Sequence, residues 1–259
     1  MLMSTEFIIL IVLISFILEF IDVSSGMGFG IMTPVLILLG FHPLEAIPAV
    51  LAMSMVFGLV GGFFHQKFKN VSFGKRTQAW KVTSALSFFG IIGVLIGVFV
   101  AVELPERFLK IYIGVLIIII GIILLFNFKK KGNERHLSWP KITFFGLISA
   151  FNKGVAGGGY GPVLTGGQMI SGVRSKHAVG ITTLTEGIIS TVGTFTYMLI
   201  EGPSNFNWIL IASLLVGGIM SIPFATYIVR KIPPEVMRRT ISVISILLGV
   251  AVLVQVFVF

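Results

Sequence analysis

Apolar residues fall in ten runs, at roughly 7–23, 30–40, 45–64, 81–102, 108–126, 142–155, 160–171, 177–199, 208–228 and 240–258, with polar residues gathered between them. Most runs approach the ~20 residues an α-helix needs to cross a hydrocarbon core about 30 Å thick. Within that core each backbone N–H and C=O must be satisfied inside the segment, so the runs predict helices. Runs 30–40 and 160–171 are shorter and carry or border Gly and Pro. They predict half-helices or re-entrant segments.

Any one run could be the core helix of a soluble domain. Ten cannot, because 56% of the chain is hydrophobic and only 11% is charged. Average soluble domains carry about 25% charged residues, enough to wrap a core; here no such polar majority exists. Phe7 to Leu18 is preceded by Glu6 and by no Lys or Arg, so it predicts a retained helix rather than a cleaved signal. The fold class expected is an all-α polytopic protein of the cell membrane.

The net charge of +9 is placed at span ends. Lys67, Lys69, Lys75, Arg76 and Lys81 follow the third run, and Lys129, Lys130, Lys131, Arg135 and Lys141 follow the fifth. Arg174 and Lys176 follow the seventh, and Arg230, Lys231, Arg238 and Arg239 precede the last. These clusters hold 16 of the 19 Lys and Arg, so the positive charge is an orientation signal rather than a nucleic-acid surface. All four clusters are predicted to be cytoplasmic, and both termini non-cytoplasmic. Trp80, Trp139 and Trp208 each open a span, where amphipathic rings favour the interface.

The chain repeats itself after about 130 residues. Phe20-Ile21-Asp22-Val23-Ser24-Ser25-Gly26-Met27-Gly28-Phe29-Gly30 lies over Phe151-Asn152-Lys153-Gly154-Val155-Ala156-Gly157-Gly158-Gly159-Tyr160-Gly161. Further on, Leu104-Pro105 lies over Ile232-Pro233, Gly121 over Gly249, and Gly90, Gly93 and Gly97 over Gly218, Ser221 and Ala225. The expected organisation is a first membrane repeat at 1–128, a basic cytoplasmic linker at 129–141, and a second repeat at 142–259. Each half makes an odd number of net crossings, so the repeats are expected to be inverted. Inverted repeats with broken Gly-rich segments at matching positions mark secondary transporters, whose site lies where the breaks meet. The small-residue series is read as helix packing.

Charge within a span costs at least about 2.5–3.5 kcal/mol at a helix centre and is functional by default. Glu19, Asp22, Lys153 and Glu186 lie in or beside apolar runs. Asp22 and Lys153 occupy equivalent repeat positions with opposite sign. Two readings stand for them: a structural ion pair, or a substrate-binding Lys153 whose charge Asp22 balances when the site is empty. Gly159, Tyr160 and Gly161 open a short helix whose exposed N–H groups and dipole suit an anion, and Gly28, Phe29 and Gly30 match them. The same glycines also permit a tight turn. No βαβ pattern surrounds them, so a dinucleotide fold is excluded.

Thr182, Thr183 and Thr185 form a polar patch with Glu186, a candidate for coupling or charge balance; Ser54 reads as a packing hydroxyl. His42, His65, His136 and His177 lie near span ends without metal-ligand spacing, so no metal site is expected. The chain contains no cysteine, which excludes disulfides and thiolate chemistry.

Ser25-Gly26-Met27-Gly28-Phe29-Gly30, then Thr33-Pro34 and Pro43-x-x-Ala46, with Gly157-Gly158-Gly159-Tyr160-Gly161-Pro162 and Ala178-Val179-Gly180 in the second half, resembles the TauE/SafE family of sulfite and organosulfonate exporters. The resemblance implies a multi-spanning permease for anionic sulfur compounds or small carboxylated anions. The expectation is a secondary transporter, not an enzyme, that exports a small anion by alternating access. Its partners are the anion and the bilayer, with no cofactor. A coupling proton or sodium ion, and a homo-oligomer, remain open. Two competing classes stand beside it. An intramembrane lipid-phosphate enzyme would need a paired acid and base or a metal cluster, and none is visible. An anion channel would need a continuous polar pore, which such charge-poor helices do not offer.

Overall fold

The computed structural model describes residues 4–25, 29–125, 137–228 and 234–258, and among these the regular structure is helical throughout. The first half contains α1 (Thr5–Ser25), a 3₁₀ turn (Phe29–Ile31), α2 (Met32–Leu38), α3 (Pro43–Lys67), α4 (Gln78–Glu103) and α5 (Glu106–Leu125). The second contains α6 (Trp139–Ala156), α7 (Tyr160–Ile170), α8 (Ser175–Glu201), α9 (Trp208–Ile228) and α10 (Pro234–Val258). Each apolar run has become a helix. Several helices begin before the run because polar residues cap and continue them. Thr77 Oγ1 accepts from Trp80 N at 3.2 Å, which starts α4 at Gln78 rather than 81. His42 Nδ1 accepts from Leu44 N at 3.2 Å and Pro43 fills the first turn of α3.

Among the described residues, Pro43–Lys67, Gln78–Glu103, Glu106–Leu125 and Arg239–Val258 are long and apolar enough to cross a membrane. The distribution of side chains makes the same point. Ile9, Leu13 and Ile17 on α1, Phe88 on α4 and Leu247 on α10 face outward, and Leu199 is 86% exposed. Lys153, Glu19, Glu186, Gln168 and a set of Ser and Thr hydroxyls are buried instead. Oily outside and polar within is the arrangement a lipid solvent favours, since only the interior can satisfy polar groups. The chain is a polytopic, all-helical membrane protein.

The packing repeats between the halves. α4 packs on α6 as α9 packs on α1; α4 reaches α8 as α9 reaches α3; α3 meets α8, and α5 meets α10. Individual contacts follow the same exchange. A Cβ on Gly90 would overlap the Ile189 side chain, and one on Gly218 would overlap Phe57. A Cβ on Gly121 would lie 2.9 Å from Ser242 O, and one on Gly249 would lie 2.6 Å from Gly114 O. The aligned small residues thus sit at equivalent helix crossings, as close backbone approach in lipid requires.

α3 crosses α8 backbone to backbone, so that a Cβ on Gly58 would overlap Gly187 N and lie 2.9 Å from Thr183 O. Backbone cannot swing aside as a side chain can. Gly58→Ala is therefore expected to lower stability by about 1–3 kcal/mol, read as a fall in melting temperature of the detergent-purified protein.

Candidate functional site

The site forms where the two helix breaks touch. In the second half the break is set by two left-handed glycines. Gly157 (φ 68°) ends α6, its N–H bonding Lys153 O at 2.8 Å, and Gly159 (φ 79°) caps the start of α7. L-residues with a Cβ resist this conformation, which is why the sequence needs glycine there. Gly158 has a different reason: a Cβ on it would lie 2.9 Å from Gly30 O and 3.0 Å from Gly30 Cα. The two Gly-rich segments are in backbone contact, as the repeat predicts. In the first half, Phe29 and Gly30 lie in the 3₁₀ turn leading into α2, which has only seven residues. Its dipole is correspondingly shorter than that of the 11-residue α7. Gly28 lies outside the described residues.

Lys153 stands one turn before this break, with its side chain fully buried. Its Nζ donates to Glu186 Oε1 at 2.6 Å and to Ser54 Oγ at 2.8 Å. Glu186 comes from the middle of α8 and Ser54 from α3. Aligning Ala46-Ile47 with Ala178-Val179 lays Ser54 over Glu186 and Gly61 over Gly193. Lys153 is thus gripped by matching positions of the two halves. The repeat sets Asp22 opposite Lys153, and Glu186, from α8, lies in direct contact with the ammonium at 2.6 Å. Asp22 is half-buried on α1 and lies within electrostatic reach of Glu19, as do Lys153 and Glu186. Three carboxyls and one ammonium therefore share the region of the breaks.

Tyr160, the first residue of α7, is fully buried, and its hydroxyl lies toward that of Thr185 without a hydrogen bond of full geometry. Gly161 follows it and is buried, and Gly30 is buried against Gly159. Thr33 Oγ1, also unpartnered, stands 2.8 Å from where a Cβ on Gly157 would be. Two idle hydroxyls at a helix break lined by glycine are donors available to a ligand oxygen.

Thr182 joins a second buried network, with Gln168 Nε2 donating to its Oγ1 at 2.8 Å and Thr165 Oγ1 at 3.0 Å from it. Thr185 behaves otherwise, since its Oγ1 donates to Ile181 O and Thr182 O of its own helix. Its hydroxyl is spent on helix carbonyls, a common fate of threonine inside a helix. Thr165, Gln168 and the Ser54 contact escaped the sequence reading. Polar residues in the short run 160–171 were the visible signal for the first two, and the repeat alignment of Ser54 with Glu186 for the third. Thr182→Val is expected to remove the shorter of the two bonds donated by Gln168 Nε2, leaving the one to Ala178 O at 3.4 Å, and to cost about 1–3 kcal/mol of stability, measured by thermal unfolding in detergent. Among the described residues no group of three or more His, Cys, Asp or Glu could hold a metal ion.

A helical membrane protein with paired, touching helix breaks and a buried cation at their junction is built on the plan of a membrane transporter. The family described as Sulfite exporter TauE/SafE matches residues 11–252, and the chain belongs to that family. It is also 28% identical over 256 residues to the Probable membrane transporter protein YtnM of Bacillus subtilis (strain 168), covering 96% of this chain and 83% of that protein. No solved structure matches. The family and the relative make this a membrane transporter, and the family's description suggests a small anionic substrate.

Proposed function

We propose that the protein is a secondary transporter that carries a small anion, such as sulfite or an organosulfonate, out of the cell by alternating access. The observation that carries this reading is the fully buried Lys153, held by Glu186 and Ser54 beside the touching helix breaks. A lone buried ammonium would be prohibitive, so Glu186 neutralises it in the empty protein. An arriving oxyanion competes with Glu186 for the same ammonium and meets the N-terminal N–H groups of α7 and the Tyr160 and Thr33 hydroxyls. Asp22 and Thr182 stand behind the site as charge balance and support; Thr185 orients α8 through its own backbone.

The exchange of packing partners between the halves supports an inverted repeat, in which α1 to α5 and α6 to α10 rock against one another around the site. The basic segments then face the cytoplasm and the termini the other side. An inside-negative potential expels an anion with about 2.3 kcal/mol per charge per 100 mV, so export needs no further driving force. The reading makes the protein a carrier, not an enzyme. The test is efflux of radiolabelled sulfite from proteoliposomes under an imposed potential, competed by sulfonates and small carboxylates. Potential-dependent efflux above protein-free liposomes is expected. Absence of flux for all three anion classes would overturn the proposal.

A further inference from the structure

Glu19 shares the region of the breaks but touches neither Lys153 nor Glu186 by hydrogen bond, and among the described residues it is the carboxyl most completely buried. It sits on α1 with 1% exposure, and its Oε2 is buried without a hydrogen-bond partner. The charges it feels are those of Asp22 on its own helix, Glu186 on α8 and Lys153 on α6. Of the elements packed against α1, α9 and the Phe29–Ile31 turn carry no Asp, Glu, Lys, Arg or His, and α10 carries only Glu235, Arg238 and Arg239, all in its first six residues. Two of its three charged neighbours repel a carboxylate, and the third, Lys153, already lies 2.6 Å from Glu186.

An ionised carboxylate taken out of water without a committed partner costs several kcal/mol, and two like charges nearby add to that. A proton or a metal cation would remove the cost. A metal cation needs several oxygen ligands, and among the described residues no carboxyl cluster supplies them. A proton needs only the unpartnered oxygen that Glu19 offers.

The geometry points to Glu19 as a proton-binding residue, loaded while Lys153 and Glu186 are paired, whose protonation favours an anion at Lys153. The second half of this statement rests on the anion-transport reading. The step is simple: one proton from water adds to a Glu19 oxygen, removing one negative charge near the ammonium. An anion and an ionised Glu19 repel each other; an anion and a neutral Glu19 do not. Linkage makes the effect reciprocal, so bound anion and bound proton strengthen each other by the same factor. That factor is expected to be on the order of tenfold.

Infrared spectroscopy of the full-length protein in detergent reads the proton directly. A protonated-carboxyl C=O band is expected at neutral pH, lost in Glu19→Gln and kept in Glu6→Gln, whose side chain is exposed on the same helix. Glu19→Asp should keep a shifted band, which serves if Glu19→Gln folds poorly. A wild-type spectrum without the band, a band indifferent to Glu19→Gln, or a band lost when sodium replaces choline would each overturn the proton site. Binding of radiolabelled methanesulfonate, whose own charge is fixed, then reads the coupling. Wild-type affinity should fall about tenfold as pH is raised until the Glu19 band disappears, while that of Glu19→Gln stays level. Equal pH dependence in the two proteins would overturn the coupling. A Glu19-dependent band in a protein that binds and moves no anion would sink the transport reading and leave the proton site standing.

Discussion

Lys153→Met is expected to abolish anion flux, by about a hundredfold or more, and to destabilise the protein at the same time. The two losses have different origins, and a second substitution separates them. Removing the ammonium leaves Glu186 buried beside Ser54 without its cation, and breaking a buried pair from one side costs about 3–5 kcal/mol. Removing both charges, as Lys153→Met with Glu186→Gln, takes away the stranded carboxylate, and such exchanges are often neutral or stabilising. The double variant should therefore recover most of the melting temperature lost by the single one. It should not recover flux, because the anion has lost the ammonium it needs; a charge-assisted contact of about 3 kcal/mol corresponds to roughly a hundredfold in binding. Glu186→Gln alone leaves Lys153 intact but removes its resting partner, and is expected to hold anion more tightly and release it more slowly. Efflux rates and thermal unfolding of the three variants complete the cycle. Normal flux in Lys153→Met would remove this residue from the transport path.

Gly158→Ala should cost at least tenfold in flux although it adds a single methyl group. The new Cβ would lie 2.9 Å from Gly30 O and 3.2 Å from Gly30 C, so the two helix breaks must separate to accommodate it. Neither neighbour is a side chain that can change rotamer. Overpacking of this kind costs about 1–3 kcal/mol, and displacement of groups at a binding site commonly costs about a hundredfold per ångström. Gly166→Ala, on the α7 helix that follows the break, is the control. A Cβ there has nothing within 4 Å, and alanine favours helix over glycine by about 1 kcal/mol, so flux and stability should match or exceed wild type. Equal behaviour of the two variants would mean that contact between the breaks is irrelevant to transport.

Much of this protein was legible along the chain, for reasons that particular residues show. All ten apolar runs became helices, because a segment in lipid has no other way to satisfy its backbone. The break at Gly157-Gly158-Gly159 was legible because left-handed backbone and close approach both select for glycine. Lys153 was legible because an ammonium inside an apolar segment is costly enough to need a reason. Gly90, Gly121, Gly218 and Gly249 were legible as packing positions because lipid gives helices no hydrophobic drive to associate, which leaves close backbone contact to hold them.

The partners of those residues were not legible. Nothing in the order of the chain says that Lys153 meets Glu186 and Ser54, since these are polar interruptions of apolar runs like several others. Likewise Thr182 and Thr185 look alike in sequence, yet one faces Gln168 across helices and the other turns back to its own carbonyls. Composition and periodicity by themselves determined that this is a helical membrane protein with a repeat, glycine breaks and a charge to explain, because the cost of burying polar backbone in lipid acts locally, segment by segment. That Glu186 and Ser54 touch the ammonium, which hydroxyls stand idle, and that a Glu19 oxygen is buried without a partner were decided only by tertiary structure. Those facts depend on helix rotation and crossing angle, which are set by the joint packing of the helices and not by any one of them.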